Sequence, residues 1–245
     1  SFESDRKVAE ELSIPYVKRN KQSIAKMYSL CSNIVVIGKQ GIELYNKDSR
    51  EPYFFHPNVA MIRAKRILKG EHDPLIEVSG LKEGDSFLDC TLGHGSDSII
   101  ASLVVGESGR VIGIESSTIL AYIVTEGLKS WNSQNQQIDQ AMRNVEVINS
   151  NHLDILKSMP TKSIDVIYFD PMFEESITES NAIQAMSYHC NYDTITAETI
   201  KEAKRVARKN VVLKDHFRSE RFQAFGFEQQ IRKTAKFHFG VINIH

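Results

Sequence analysis

From residue 86 onward, short apolar runs alternate with helical stretches, and few architectures accommodate that alternation. Segments 86–90, 110–115, 145–149, 164–169 and 210–214 read as strands. Segments 97–105, 118–131, 152–158 and 196–207 read as helices between them. Strand, helix and strand in regular succession predict a parallel sheet with right-handed crossovers. The run 164–169 is almost continuously apolar, as in a strand covered on both faces. Segments 227–233 and 236–244 follow one another without a helix, which predicts an antiparallel hairpin. The expected class is α/β, with a mostly parallel sheet closed by that C-terminal hairpin.

The first eighty residues follow another grammar. Ser4 or Asp5 can cap a short helix reaching Leu12. Two β-type runs, 33–37 and 42–45, flank Gly38-Lys39-Gln40-Gly41 and predict a hairpin. A helix over 58–69 and a turn over 70–74 follow. Residues 1–80 are read as an α+β extension that is a candidate for substrate recognition, and 81–245 as the main domain.

Hydrophobic residues make up 41% and charged residues 25%, which excludes disordered and low-complexity classes. The longest apolar stretch, 99–105, is broken by Ser102 and is far short of the ~20 residues of a membrane span. No signal-peptide pattern opens the chain, and Ser1 in place of Met leaves room for residues before it. Three scattered cysteines without C-x-x-C predict a reducing cytoplasm and no structural zinc; no metal site is expected.

Parallel sheets bind ligands at the carboxyl ends of their strands. The first strand there ends Asp89-Cys90-Thr91-Leu92-Gly93-His94-Gly95. Gly93 and Gly95 let the backbone turn tightly beside a ligand. Glu115 ends the second strand, 20 residues after Gly95, where an acid can accept both hydroxyls of a ribose. A nucleoside-containing cofactor follows from this spacing. Asp89 would repel a pyrophosphate but suits a cation, which favours S-adenosylmethionine over NAD. The fourth strand ends Asp170-Pro171-Met172-Phe173. There the Asp170 carboxylate and a carbonyl fixed by Pro171 could hold an exocyclic amine, while Phe173 stacks on its base. His94 reads as a hydrogen-bonded structural residue rather than a catalyst.

These segments resemble a class I S-adenosylmethionine-dependent methyltransferase, with Asp-Pro-Met-Phe standing where amino-methylating members have Asp/Asn-Pro-Pro-Tyr/Phe. More closely, 88–97, 168–173 and Val211-Val212-Leu213-Lys214 resemble the RsmJ family, which modifies a guanine amine in small-subunit ribosomal RNA. The resemblance covers roughly 81–245 and implies a Rossmann-like methyltransferase domain. It implies cofactor contacts at Ser96 and Asp97, Glu115 and Ser116, Asn151 and His152, and Asp170. Ser96 stands where the family has Arg, and Asn151 and His152 where it often has small hydroxyl residues.

Charge points to RNA independently. Segment 1–78 carries +3, 79–200 carries −11 and 201–236 carries +7. Arg63, Arg66 and Lys69 recur at helical spacing, and Lys204, Arg205, Arg208 and Lys209 repeat the pattern. Arg63, Arg66 and Lys214 are the candidate substrate contacts, because Lys and Arg supply most phosphate affinity. The expected partner is therefore RNA, ribosomal RNA or the small ribosomal subunit, and no membrane. Two alternatives stay open at this point: a non-catalytic RNA-binding protein on the same fold, and an NAD-dependent oxidoreductase.

Overall fold

The computed structural model describes residues 2–38, 41–49, 51–171 and 195–245. The first eighty residues hold α1 (Phe2–Glu11), α2 (Ile24–Met27), β1 (Asn33–Gly38), β2 (Gly41–Asn46), β3 (Tyr53–Phe54), α3 (Asn58–Ile67) and α4 (Pro74–Ser79). β1 and β2 pair antiparallel, as the hairpin expectation required, and β3 adds to β2. The turn expected at 70–74 runs on into α4. The Asp73 side chain caps this helix by accepting from the Leu75 amide (3.0 Å), Pro74 opens it, and Gly80 closes it at φ +63°.

The main sheet contains β4 (Ser86–Asp89), β5 (Arg110–Glu115), β6 (Val145–Asn149), β7 (Ile164–Phe169), β8 (Ala207–His216), β9 (Glu228–Gln230) and β10 (Phe237–Asn243). Their order in space is β6-β5-β4-β7-β8-β10-β9. β4 to β8 run parallel, and β10 runs antiparallel to both β8 and β9. The chain leaves β4 toward β5 and β6, then returns to the other side of β4 as β7. The crevice of this sheet therefore opens between the carboxyl ends of β4 and β7.

The helices that cover the sheet are α5 (Ser96–Val105), α6 (Thr118–Ser130), α7 (Gln136–Arg143), α8 (His152–Ser158), α9 (Ala197–Val206) and α10 (Arg221–Phe225). Sequence reading passes over α7 because Ile138, Ala141 and Met142 are its only apolar residues. All three are buried, on one helical face. β7 is buried along its whole length, Asp165 included. That carboxylate accepts from the Ser86 amide (2.9 Å) and hydroxyl (2.7 Å), which ties β7 to β4 at the edge away from the crevice.

α5 is buried on nearly every side, because α3 lies on its outer face through the fully buried Ala60 and Ala64. Phe55 fits over α6 only because residue 127 is glycine; a Cβ there would stand 2.1 Å from the ring. One apolar cluster thus runs from Leu44, Tyr53 and Phe55 into Phe87, Ile99 and Val124. The first eighty residues share their core with one face of the sheet. A second cluster, around Leu88, Ile167, Ile200 and Phe222, fills the other face. Among the described residues, no helix is long and apolar enough to cross a membrane.

Candidate active site

The Phe169–Leu213 register sets Asp170 and Lys214 side by side, one residue beyond their strands' last pair. Lys214 Nζ donates to Asp170 Oδ2 at 2.5 Å and lies 3.6 Å from Asp97 Oδ2. Asp97, in the first turn of α5, also accepts from the Tyr168 hydroxyl (2.8 Å) and from Arg63. Arg63 reaches in from α3, and its other two donors form a fork on Asp73 at 2.8 and 2.9 Å. The result is a continuous network, Asp73–Arg63–Asp97–Lys214–Asp170, from the extension to the end of β7.

Asp89 faces this network from β4. One oxygen accepts from the Thr91 amide (3.0 Å) and the other from Ser98 Oγ (2.8 Å). The Thr91 hydroxyl in turn accepts from the Asp170 amide (2.7 Å), so the two strand ends at the crevice are joined. Gly95, at φ +72°, turns the chain from this loop into α5. Glu115 is buried at the end of β5 and accepts from the Ser117 amide at 2.9 Å. Asn149, its partner on β6, donates to the carbonyls of Glu115 (2.8 Å) and Ser116 (3.1 Å).

Burial shapes the titration of these groups. It pushes the Asp89 carboxyl up to about 7, reinforced by the charge on Asp97 and opposed by the Ser98 and Thr91 bonds. Burial also raises the Asp170 carboxyl, with Lys214 opposing and Asp97 assisting. At Asp97 burial is overcome by Lys214 and Arg63, which hold the carboxyl well below the usual range. Lys214 is lowered by burial but held above the ordinary lysine value by Asp170 and Asp97.

Asp89, Gly93, Gly95, Ser96, Asp97 and Asp170 gather around the β4–β7 crevice, with Glu115 and Ser116 at the end of the neighbouring strand β5. Asn151 spends its side-chain carbonyl on capping α8, accepting from the Leu153 amide at 2.8 Å. His152 is buried with its ring edge-on to Phe169, 5.9 Å between centroids. Phe173 lies outside the described residues. Arg63 departs from the expected basic stripe. Its guanidinium turns inward to Asp73 and Asp97, because α3 packs on α5, while Arg66 stays outside on Glu71 (2.7 Å). Tyr168 and Thr91 lie within the motif segments read from sequence but take no role there, since only the register of β4 and β7 sets their hydroxyls on Asp97 and on the Asp170 amide.

His94 stacks on Tyr53 (4.8 Å between centroids) and lies 5.0 Å from His56. Burial, then His56, pushes its imidazole down to about 4. Neither of its ring nitrogens has a hydrogen-bond partner among the described residues, contrary to the hydrogen-bonded role expected.

Two carboxylates on Lys214, the buried Asp89 carboxyl at the end of β4, a glycine-containing loop and a buried acid one strand away make a donor set for a nucleoside that brings positive charge. A pyrophosphate would meet Asp89 and Asp97. A family model described as "Putative SAM-dependent methyltransferase" matches residues 20–238. The chain belongs to this family. S-adenosylmethionine is therefore its cofactor, and the NAD-dependent and non-catalytic alternatives give way. The chain is 45% identical over 243 residues to YpiP of Bacillus subtilis, covering 99% of this chain and 94% of that protein. It is 28% identical over 151 residues to ribosomal RNA small subunit methyltransferase J of Laribacter hongkongensis. That match covers 59% of this chain and 52% of the relative, so about half of each is aligned. A crystal structure of an S-adenosylmethionine-dependent methyltransferase from Neisseria gonorrhoeae superposes with a TM-score of 0.63 at 14% identity, covering 98% of this chain and 91% of that one. That likeness shows the shared fold of this methyltransferase.

Proposed function

We propose that this methyltransferase modifies an exocyclic amine of a nucleobase, guanine in small-subunit ribosomal RNA, with Asp170 as the catalytic residue. The observation that carries the reading is the Asp170 carboxylate, tethered by Lys214 at the crevice and followed by Pro171. The aligned half of the ribosomal RNA methyltransferases supports the substrate class. An RNA substrate also suits the cytoplasmic setting that the sparse cysteines favour.

S-adenosylmethionine, when bound, supplies a methyl group already activated by its sulfonium. Glu115 and Ser116 would hold its ribose, and Asp89, Asp97 and the loop through Gly93, Gly95 and Ser96 its charged end, with Asn151 and His152 beyond β6. The enzyme's task is then alignment and exclusion of water. Lys214 keeps Asp170 Oδ2, which leaves Oδ1 to accept one N–H of the amine. A main-chain carbonyl beside Pro171 takes the other N–H, and the nitrogen lone pair is left pointing outward. Phe173 stacks on the base. Once the nitrogen carries its new methyl group, the surplus proton passes to Asp170 Oδ1 or to water. A carboxyl raised by burial is suited to receive it.

Single-turnover methylation of undermodified ribosomal RNA by Asp170→Ala and Asp170→Asn, with cofactor binding checked in each, tests this. Alanine should lose on the order of 10²–10⁴-fold in rate. Asparagine, which retains an acceptor oxygen, should keep more activity. Full activity in Asp170→Ala would refute the assignment.

A further inference from the structure

A cavity of about 250 Å³ opens beside the catalytic network, between α3, the segment leading into α4, and the β8–β10 edge. Its floor is ionic. Arg63, Asp97 and Lys214 line it, and the same Lys214 ammonium touches Asp170 on its far side. Its wall is apolar: Val59, Pro74, Leu75 and Phe239. Phe239 stands directly across the ladder from Lys214, so the antiparallel hairpin delivers an aromatic ring to the same face as the ammonium that holds Asp170. Its mouth is basic. Arg232 leans over the Phe239 ring, 6.0 Å from its centroid, and among the described residues Arg66 pairs with the exposed Glu71. Such exposed pairs exchange at little cost.

Volume and chemistry together select the occupant. The space is smaller than the ~300–1,000 Å³ of most drug-sized sites and is far too narrow for a helix ~10–12 Å across. Apolar walls under a cationic rim suit one flat base with its phosphate. A base must leave its stack to enter, which selects a single strand over a duplex. Val59, at the rim, is an apolar side chain left 61% exposed.

We propose that this cavity seats one nucleotide of single-stranded RNA next to the target, its phosphate between Arg66 and Arg232 and its base against Val59, Pro74 and Phe239. The inference rests on the RNA reading above and adds where the strand is gripped. It gives the extension and the C-terminal hairpin a joint task, holding the neighbour while Asp170 addresses the target.

Fluorescence anisotropy with a short labelled single-stranded oligoribonucleotide of mixed sequence, and with its duplex, tests the proposal. Wild type should prefer the single strand. The double variant Arg66→Gln, Arg232→Gln should flatten the log–log salt slope by about 0.7, the value for one lost phosphate contact. Val59→Glu should weaken binding at least ~5-fold, the low end for a lost base contact. S-adenosylhomocysteine affinity should be unchanged in every variant. If wild type binds the RNA and the variants bind it equally well, the cavity assignment is wrong while the RNA reading stands. If wild type binds neither form, both fall.

Discussion

Replacing Arg63 separates two roles that its sequence position cannot distinguish. A surface contact to phosphate would cost RNA affinity and leave stability alone. The structure instead places its guanidinium between Asp73 and Asp97, with the arginine side chain 20% exposed and the two carboxylates 5% and 10%. Arg63→Met keeps much of the apolar stem and removes three charge-assisted bonds. Asp73 would retain the Leu75 amide, and Asp97 would retain Tyr168 and Lys214. Removing one partner of a buried pair costs ~3–5 kcal/mol, and these surviving partners put the loss near ~3. For a chain of this size that corresponds to a melting temperature lower by roughly 6–12 °C. Urea denaturation monitored by circular dichroism would measure the loss directly. In a double-mutant cycle, Asp97→Asn should recover part of it, because one of the two carboxylates that lose Arg63 is then neutral. An Arg63→Met protein with unchanged midpoint and slope would refute the internal role.

Two further outcomes follow from the site. Glu115→Ala should weaken S-adenosylmethionine binding by roughly 30-fold or more, from ~2–4 kcal/mol for two bonds to a charged acceptor. Calorimetry reads the affinity, and the lost Ser117 bond should lower stability only slightly. Asp89 should make stability depend on pH. Its carboxyl is raised to about 7 in the fold against ~3.9 unfolded, so its contribution is full below about 4 and is lost as pH rises through about 7. Asp89→Asn does not titrate. The stability of wild type relative to this variant should therefore fall between pH 5 and pH 8, by at most ~2.7 kcal/mol, at ~1.36 per unit over the two units up to about pH 7. Parallel urea titrations at the two pH values measure it, and a constant difference would refute the buried ionisation.

The alternation of strands and helices was legible in the chain because covered parallel strands need apolar runs and crossovers need helices between them. The antiparallel hairpin at the end was equally legible, because two strands follow one another with no helix to reverse the chain. Asp89, Glu115 and Asp170 could be singled out for the same reason: strand ends bring their following residues to one edge. α7 was not legible, since its three buried side chains sit among glutamines and an aspartate that resemble a loop. Nor was α4, whose Pro74 reads as a turn until Asp73 caps a helix there.

What the tertiary structure alone decided is which charges face each other. Spacing along a helix says that Arg63 and Arg66 can share a face, but not what lies beneath it. Only the packing of Ala60 and Ala64 against α5 turns one arginine inward to Asp97 and leaves the other in solvent. Likewise, only the register of β7 and β8 puts Lys214 on Asp170, and only that of β8 and β10 puts Phe239 across from Lys214. Periodicity is a local property set by backbone geometry, so one chain segment can reveal it. A charge network depends on the distance between segments far apart in sequence, and that distance is fixed only when the core closes.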